Sequence, residues 1–97
     1  MRIALEAQAY RTLTSLRDIK MLNRLEAAID DIENRGLSAS NLKQLSHLKN
    51  GYRKRVGRYR ILFTINHDEQ VIHIWIIEIK KSPKDYRKWI ENIEKSR

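Results

Sequence analysis

The spacing of apolar residues changes near residue 50, and this change limits the fold more than any other feature of the chain. Apolar residues of the first half recur at steps of three and four, as Leu22, Leu25, Ile29 and Ile32 do. That spacing is typical of an amphipathic helix. The second half contains short apolar runs that alternate or continue, such as residues 71–79, and these predict β-strands. Helices followed by strands predict an α+β fold.

Residues 1–36 predict a short first strand, at residues 2–8, and two helices that pack as a hairpin. Gly36 fits the left-handed residue that often ends a helix. Residues 37–48 form a connector whose leucines contact the core, with Ser40 as a candidate helix N-cap.

Three strands joined by short turns follow, at residues 52–56, 59–66 and 71–79. They predict an antiparallel meander whose last strand is central and covered on both faces. Ser82 and Pro83 predict the start of a short C-terminal helix. Residues 1–97 therefore predict one domain of the α+β class. In it the helices, first a hairpin and later a short C-terminal helix, pack on one side of a small twisted antiparallel β-sheet.

Composition excludes several classes of protein. The chain has no cysteine, so neither a disulfide scaffold nor a thiolate metal site is expected. His47, His67 and His73 do not share a metal-ligand spacing, and the pair Asp30-Asp31 predicts a solvated helix face. No apolar run approaches the roughly 20 residues of a membrane span. We therefore expect a cytoplasmic protein that uses no metal and no other cofactor.

The net charge of +8 is concentrated in the second half of the chain. Residues 1–48 carry seven Lys/Arg and six Asp/Glu, whereas residues 49–97 carry thirteen and six. Residues 49–60 alone contain six cations and two tyrosines, and they lead directly into an apolar strand. A single electropositive surface of this kind favours a nucleic acid as partner.

Alternation along the strands predicts where these cations point. Arg60 lies between apolar residues of the second meander strand, so its side chain points away from the core. By the same rule Arg53 and Arg55 point outward and Lys54 points to the opposite side. The prediction is a cluster of three arginines outside the hydrophobic interior. An ordinary cross-strand ion pair between Arg60 and Glu78 is the alternative.

The second half of the chain, above all VGRYR at Val56–Arg60, resembles the RelE/ParE superfamily of small bacterial toxins. The likeness covers nearly the whole chain, from a first strand and helical hairpin to a three-stranded meander and an end helix. It implies ribosome-dependent cleavage of mRNA, by attack of the RNA 2′-hydroxyl on the adjacent phosphate, or else poisoning of DNA gyrase. It also implies a cognate antitoxin, which we expect to have an acidic segment and an amphipathic helix that lies over the basic face or the helical hairpin.

The resemblance further implies roles for individual residues. Its catalytic set matches Arg53, Arg55, Arg60, Lys80, Lys81 and Tyr86. Of these, Arg60 would clamp the phosphate, Lys80 or Lys81 would act as the acid, and Tyr86 would stack on the substrate. Nearby cations would bind substrate: Lys49, Lys54, Arg58, Lys84 and Arg87.

Two positions depart from the family pattern. Arg55 stands where a lysine would suit the general base, and arginine effectively cannot deprotonate. Lys54 would have to turn to replace it, or cleavage would depend on positioning and charge. The segment after the third meander strand, IEIKKSPKDY, also lacks the GHR found in many relatives.

The favoured interpretation is an mRNA endonuclease toxin acting in the ribosomal A site. Its expected partners are an antitoxin, mRNA and the ribosome, with operator DNA bound only through the antitoxin complex and no membrane contact. A ParE-like gyrase inhibitor and a non-catalytic nucleic-acid-binding module are the alternatives.

Overall fold

The computed structural model describes residues 1–79 and 83–96, with side chains up to residue 79 and from residue 87 to residue 95. These described residues form three α-helices and five strands, in the order β1 (Arg2–Leu5), α1 (Ala7–Ser15), α2 (Ile19–Arg35), β2 (Leu42–Gln44), β3 (Gly51–Val56), β4 (Tyr59–Asn66), β5 (Val71–Ile79) and α3 (Pro83–Ser96). The predicted α+β class is confirmed. Within the described ranges, the helices are too short or too polar to cross a membrane.

The five strands form one sheet in the order β1-β5-β4-β3-β2. The predicted antiparallel meander of β3, β4 and β5 is confirmed, including the bounds of β4 and β5. The sheet is larger than predicted, because β1 pairs in parallel with β5 and β2 pairs antiparallel with β3. As predicted, β5 is an inner strand with apolar residues packed on both faces, and it lies between β1 and β4. The middle of the five strands is β4. Its residues from Tyr59 to Ile65 are all buried, as expected of a strand covered on both faces.

The helical hairpin forms as the apolar spacing predicts. Asp18 caps α2, since its Oδ1 accepts a hydrogen bond from the Met21 backbone N–H at 3.1 Å. Leu25 and Ile32 lie one above the other on the buried stripe of α2. Gly36 ends the helix with φ +55° and donates its N–H to the Ile32 carbonyl, which confirms the expected positive-φ residue.

The connector between α2 and β3 differs from the prediction. It contains a short 3₁₀ turn at Gly36–Ser38 and the three-residue strand β2, which lengthens the sheet. Ser40 is not a helix N-cap. Its backbone N–H donates to Asp31 Oδ2 at 3.2 Å and so ties the connector to α2.

The two faces of the sheet pack against different helices. On the first face Ile61, Phe63 and Ile74 join the buried residues of α1 and α2 in the main core. On the second face Ile90 and Ile93 of α3 pack with Leu48, Leu45, Trp75 and Ile76. The expectation that all helices lie on one side was wrong. The described part of α3 covers the side opposite the hairpin because both faces of the inner strands are apolar.

A β-bulge divides β5 into two halves. Leu62 pairs with Ile76, whereas the next residue, Phe63, pairs with Ile74, so Trp75 is the extra residue. Directly paired residues lie on the same face, so the bulge shifts the alternation of β5 by one position. As a result Glu78 lies on the second face, opposite Arg60, although strict alternation from Ile74 would turn it into the core.

Side chains of α1 close the edge of β5 where β1 has ended. β1 pairs with β5 only as far as Ile74. Beyond it, the Ile77 backbone N–H donates to Gln8 Oε1 at 2.9 Å, and Gln8 Nε2 donates to the Ile77 carbonyl at 3.2 Å. The Thr12 hydroxyl donates to the same carbonyl at 3.1 Å. The Gln8 amide thus replaces a neighbouring strand for one residue.

Candidate nucleic-acid interface

Three arginines of β3 and β4 lie on the second face of the sheet. Arg55 pairs directly with Arg60, and Arg53 pairs with Leu62. The strand alternation therefore assigns all three side chains to the side away from the hairpin, as predicted, and we call this surface the arginine face. Their exposure differs, because Arg55 is exposed, Arg53 is half-buried and Arg60 is buried.

Arg60 is more enclosed than a strand-face cation was expected to be, with 5% of its surface exposed. Its Nη1 donates to the carbonyl of Tyr59 at 3.1 Å and to that of Gly57 at 3.5 Å, so the guanidinium is held against the β3–β4 turn. Among the described residues none accepts a hydrogen bond from Arg60 Nε, which is buried. A buried donor without an acceptor costs free energy unless a ligand supplies one.

The alternative explanation of Arg60, a cross-strand ion pair, does not hold for the described residues. Glu78 lies directly opposite on β5, yet the ion pairs within the described ranges do not include Arg60. Glu78 is half-buried and has an interaction of its own. The arginine face therefore holds a guanidinium that forms no ion pair with a carboxylate of the described residues.

Lys54 lies on the opposite face, as its alternation predicts, but it is not available to substrate. It is buried against α2, and its Nζ donates to Asp31 Oδ2 at 2.9 Å and to the Ser40 carbonyl. The Lys54 hydrogen bond lowers the pKa of the Asp31 carboxyl and outweighs the opposing effect of desolvation. The substrate-binding role expected of Lys54 is at odds with this position, and the site we propose excludes it. The prediction that Asp30 and Asp31 form a solvated helix face was wrong for Asp31, because its carboxylate accepts this hydrogen bond from Lys54.

The other predicted site residues do not all gather at Arg60. Arg58 is exposed in the β3–β4 turn beside it. Lys49 precedes β3 and lies near Asn66, at the opposite end of β4, where it has contacts of its own. Arg87 is exposed on α3. The remaining four fall outside the description, Lys80 and Lys81 entirely and Lys84 and Tyr86 in their side chains.

Polar residues farther along the arginine face form ordinary structural contacts. Trp75 Nε1 donates to the buried Thr64 hydroxyl at 2.8 Å. His73 stacks on Trp75 with ring centroids 5.6 Å apart, and its Nδ1 lies 2.9 Å from Glu6 Oε1. No cluster of His, Cys, Asp or Glu suited to a metal ion occurs among the residues described.

Sequence reasoning placed Glu78 across from Arg60 but missed the bulge on which that position depends, whose trace in the sequence is the unbroken run Trp75-Ile76-Ile77. It also missed the ion pair of Lys54 with Asp31, which joins residues 23 positions apart and has no local signal.

The sequence matches no family model and no curated protein. Solved structures do match. A mutant of the Escherichia coli toxin RelE in the free state gives a TM-score of 0.74 at 12% identity, covering 95% of this chain and 96% of that one. The YoeB/ParE toxin from Agrobacterium tumefaciens gives 0.72 at 9% identity, covering 84% and 100%.

A chain of the archaeal RelE-RelB complex from Pyrococcus horikoshii OT3 gives a TM-score of 0.68 at 23% identity, covering 80% of this chain and 92% of that one. At such identities the likeness establishes the fold. The resemblance seen in the sequence is thus confirmed at that level, and this chain has the fold of the RelE/ParE toxins.

Proposed function

We propose that this protein is the toxin of a type II toxin–antitoxin system and that it cleaves mRNA on the ribosome. The fold it shares with RelE and YoeB/ParE toxins supports the toxin role, and solved RelE-RelB complexes support an antitoxin as partner. Operator DNA would be bound only by the complex with the antitoxin. The basic arginine face supports RNA as the substrate.

The observation that carries this proposal is the environment of Arg60. Two backbone carbonyls fix its guanidinium, its Nε is buried without an acceptor among the described residues, and Arg55 lies directly across the strand pair. A phosphate oxygen is the acceptor that a guanidinium in this position suits best, since the hydrogen bond is charge-assisted. A preorganised cation of this kind stabilises the charge that develops during phosphoryl transfer.

The reaction follows from placing the scissile phosphate against Arg60. The 2′-oxygen forms a bond to phosphorus while the bond from phosphorus to the 5′-oxygen breaks, which leaves a 2′,3′-cyclic phosphate and a 5′-hydroxyl. Arg60 and Arg55 offset the extra negative charge on the phosphoryl oxygens. The 5′-oxygen takes its proton from Lys80 or Lys81, and Tyr86 stacks on a base, roles carried by the family resemblance.

The general base is the step where this chain departs from its relatives. Arg53 and Arg55 cannot accept a proton, and Lys54 is held by Asp31 on the other face. Glu78 stands directly opposite Arg60 in the pairing of β4 with β5. Among the carboxylates of the described arginine face, it is the one nearest in register to the phosphate site. We assign to Glu78 the removal of the 2′-hydroxyl proton.

The test is primer extension on a defined message with purified ribosomes. The wild-type protein should cut within the A-site codon, and Arg60→Ala should lower the cutting rate about a hundredfold or more. Arg60→Lys, which keeps the charge and loses the planar fork, should retain part of the activity. Arg17→Ala, which removes an exposed arginine outside the arginine face, is the matched control.

Several results would oppose the proposal. An uncut message, or equal cutting by a folded Arg60→Ala variant, would exclude this site as the nuclease. Blocked DNA supercoiling by gyrase without message cleavage would instead identify the ParE-like activity. Binding that falls steeply with salt, without either activity, would indicate a non-catalytic nucleic-acid-binding module. A short acidic protein encoded beside the toxin, added to the same reaction, should stop the cutting if it is the antitoxin.

A further inference from the structure

One edge of the sheet is open. β1 stands at the end of the strand order, so it pairs on one side only, with β5. Proteins usually protect an edge strand with charge, proline or a bulge. Between Arg2 and Glu6, however, the strand consists of Ile3, Ala4 and Leu5, and its register with β5 is regular. The outer side of this strand, which we call the β1 edge, is therefore suited to pairing with another strand.

The hydrogen bonds of β1 show which backbone groups face this edge. The N–H groups of Arg2 and Glu6 donate to β5 carbonyls at 3.1 Å and 2.9 Å, and the backbone of Glu6 is still extended. Because backbone direction alternates along a strand, the N–H and C=O groups of Ile3 and Leu5 point outward. Within the described ranges, the hydrogen bonds outside the strand pairs do not involve these outward groups. Two residues of β1 thus offer a donor and an acceptor each to another chain.

The side chains along the β1 edge divide between the two faces of the sheet. Ile3 and Leu5 lie on the first face, where Ile3 packs against the main core and Leu5 is 39% exposed. Arg2 and Glu6 lie on the arginine face. Arg2 is exposed and forms no ion pair with a carboxylate of the described residues. Glu6 Oε1 lies 2.9 Å from His73 Nδ1, which leaves the second carboxylate oxygen as a further acceptor.

We propose that the β1 edge pairs with the β1 edge of a second copy of this chain, antiparallel and around a two-fold axis at Ala4. In this register Ile3 lies opposite Leu5 of the second copy, and the outward groups of both residues exchange hydrogen bonds. Arg2 then lies opposite Glu6 of the second copy at both ends of the pair. A register shifted by two residues would keep the direction of the hydrogen bonds but would separate these charges.

The residue pattern of β1 favours a second copy over an unrelated strand. From residue 2 to residue 6 it presents a base, an apolar residue, a small residue, an apolar residue and an acid, so it complements itself when one copy is reversed. Self-complementarity is what a two-fold interface requires. Opposite charges at directly paired positions stabilise a strand pair. Ala4 meets its own copy as a non-hydrogen-bonded pair, where Cα atoms approach to about 4.5 Å, and its methyl group fits that distance.

The size and the symmetry of this interface have two consequences. Five residues from each copy bury much less than the roughly 800 Å² per partner of a standard interface, so the dimer is weak and depends on concentration. The two-fold axis of an antiparallel pair is perpendicular to the sheet. The two five-stranded sheets therefore join into one, with both arginine faces on the same side.

The experiment measures self-association of the full chain by sedimentation velocity, from about 10 μM to about 1 mM. The wild type should form a reversible dimer. Arg2→Glu and Glu6→Arg should each weaken dimerisation about tenfold, because each puts like charges opposite one another at both ends of the pair. An equimolar mixture of these two variants should dimerise as well as the wild type, since opposite charges then meet at both ends. Lys43→Glu, an exposed charge reversal on the opposite edge strand β2, is the matched control and should dimerise normally.

A second variant tests the backbone pairing without changing charge. The Leu5 N–H points outward, so Leu5→Pro removes a donor of the dimer and none of the hydrogen bonds between β1 and β5. Leu5→Pro should therefore be monomeric throughout the concentration range. Leu5→Val keeps the N–H and an apolar side chain, and it should dimerise. Circular dichroism checks that both variants are folded, and the mixture of charge variants decides the question if Leu5→Pro is not.

Several outcomes would overturn the proposal. A wild-type protein that stays monomeric at the highest concentration would exclude this dimer and would leave the β1 edge to a strand of another protein. A dimer that Lys43→Glu disrupts would place the contact at the other edge. A dimer that survives Leu5→Pro, or a mixture of Arg2→Glu and Glu6→Arg that stays monomeric, would also reject the pairing. None of these measurements uses RNA or ribosomes, so their result is independent of the proposed nuclease activity.

Discussion

The closure of the β5 edge by Gln8 allows a stability prediction from local geometry. Ile77 is fully buried, and its backbone N–H has the Gln8 Oε1 atom as its acceptor at 2.9 Å. Its carbonyl has two donors, Gln8 Nε2 at 3.2 Å and the Thr12 hydroxyl at 3.1 Å. Gln8→Ala therefore removes the acceptor of a buried N–H while the carbonyl keeps one donor.

The magnitude follows from this inventory. An unsatisfied buried donor costs about 1–3 kcal/mol. Alanine forms helices slightly better than glutamine, so a change of helix propensity acts in the opposite direction and cannot cause the loss. We expect Gln8→Ala to lower the free energy of unfolding by about 2 kcal/mol, which corresponds to a fall in Tm of about 8–16 °C for a domain of this size.

Urea denaturation followed by circular dichroism measures this difference. Asn23→Ala, at an exposed position of α2, is the control for a polar-to-alanine change in a helix and should leave the stability nearly unchanged. Thr12→Val alone should cost about 1 kcal/mol, because Gln8 still serves the Ile77 carbonyl. The double variant should lose more than the sum of the two, since the carbonyl then has neither donor. A Gln8→Ala protein as stable as the wild type would refute the reasoning.

Two further predictions concern carboxylates. Glu78→Gln should lower the rate of mRNA cutting about a hundredfold, with RNA affinity unchanged, if Glu78 is the general base beside Arg60; undiminished cutting in the same primer-extension assay would reject that role. The pKa of Asp31 lies below its ordinary value of 3.8, chiefly because Lys54 donates to it. Asp31 therefore contributes stability above pH 3.8 that disappears as the pH falls through its folded pKa, so the stability gap between wild type and Asp31→Asn should close in acid. A stability difference between wild type and Asp31→Asn that stays constant with pH would contradict this prediction.

Local patterns were sufficient for the helices and for the meander. Alternating apolar residues in β4 and a nearly continuous apolar run in β5, bounded by Gly57 and by the polar turn at residues 67–70, predicted both strands with their observed ends. The apolar runs and the turn residues that bound them are both visible within a few residues of the chain. The short strand β2 was not predicted, because three residues give no alternation and Leu42–Gln44 becomes a strand through pairing with β3.

The sequence predicted which face of the sheet the side chains of the candidate site point to, but not how deeply each of them is buried. Alternation assigned Arg53, Arg55 and Arg60 to one face, since side-chain direction is a property of the strand itself. The burial of Arg60 depends on carbonyls of a turn that folds back on it, and the removal of Lys54 from the site depends on Asp31 of a distant helix. Such tertiary contacts leave no trace in local periodicity.

The extra residue at Trp75 makes the face of Glu78 depend on a difference in length between two paired strands. If β5 paired regularly with β4 and kept Trp75, every residue beyond Ile74 would move on by one position. Ile77 would then stand beside Arg60, and the Glu78 carboxylate would point into the hydrocarbon interior between sheet and hairpin. Deleting Trp75 would have the opposite result, because the pairs on either side of the bulge would become consecutive and Glu78 would stay opposite Arg60. The charge beside the buried guanidinium is therefore set by the count of residues in β5 together with the bulge that absorbs one of them.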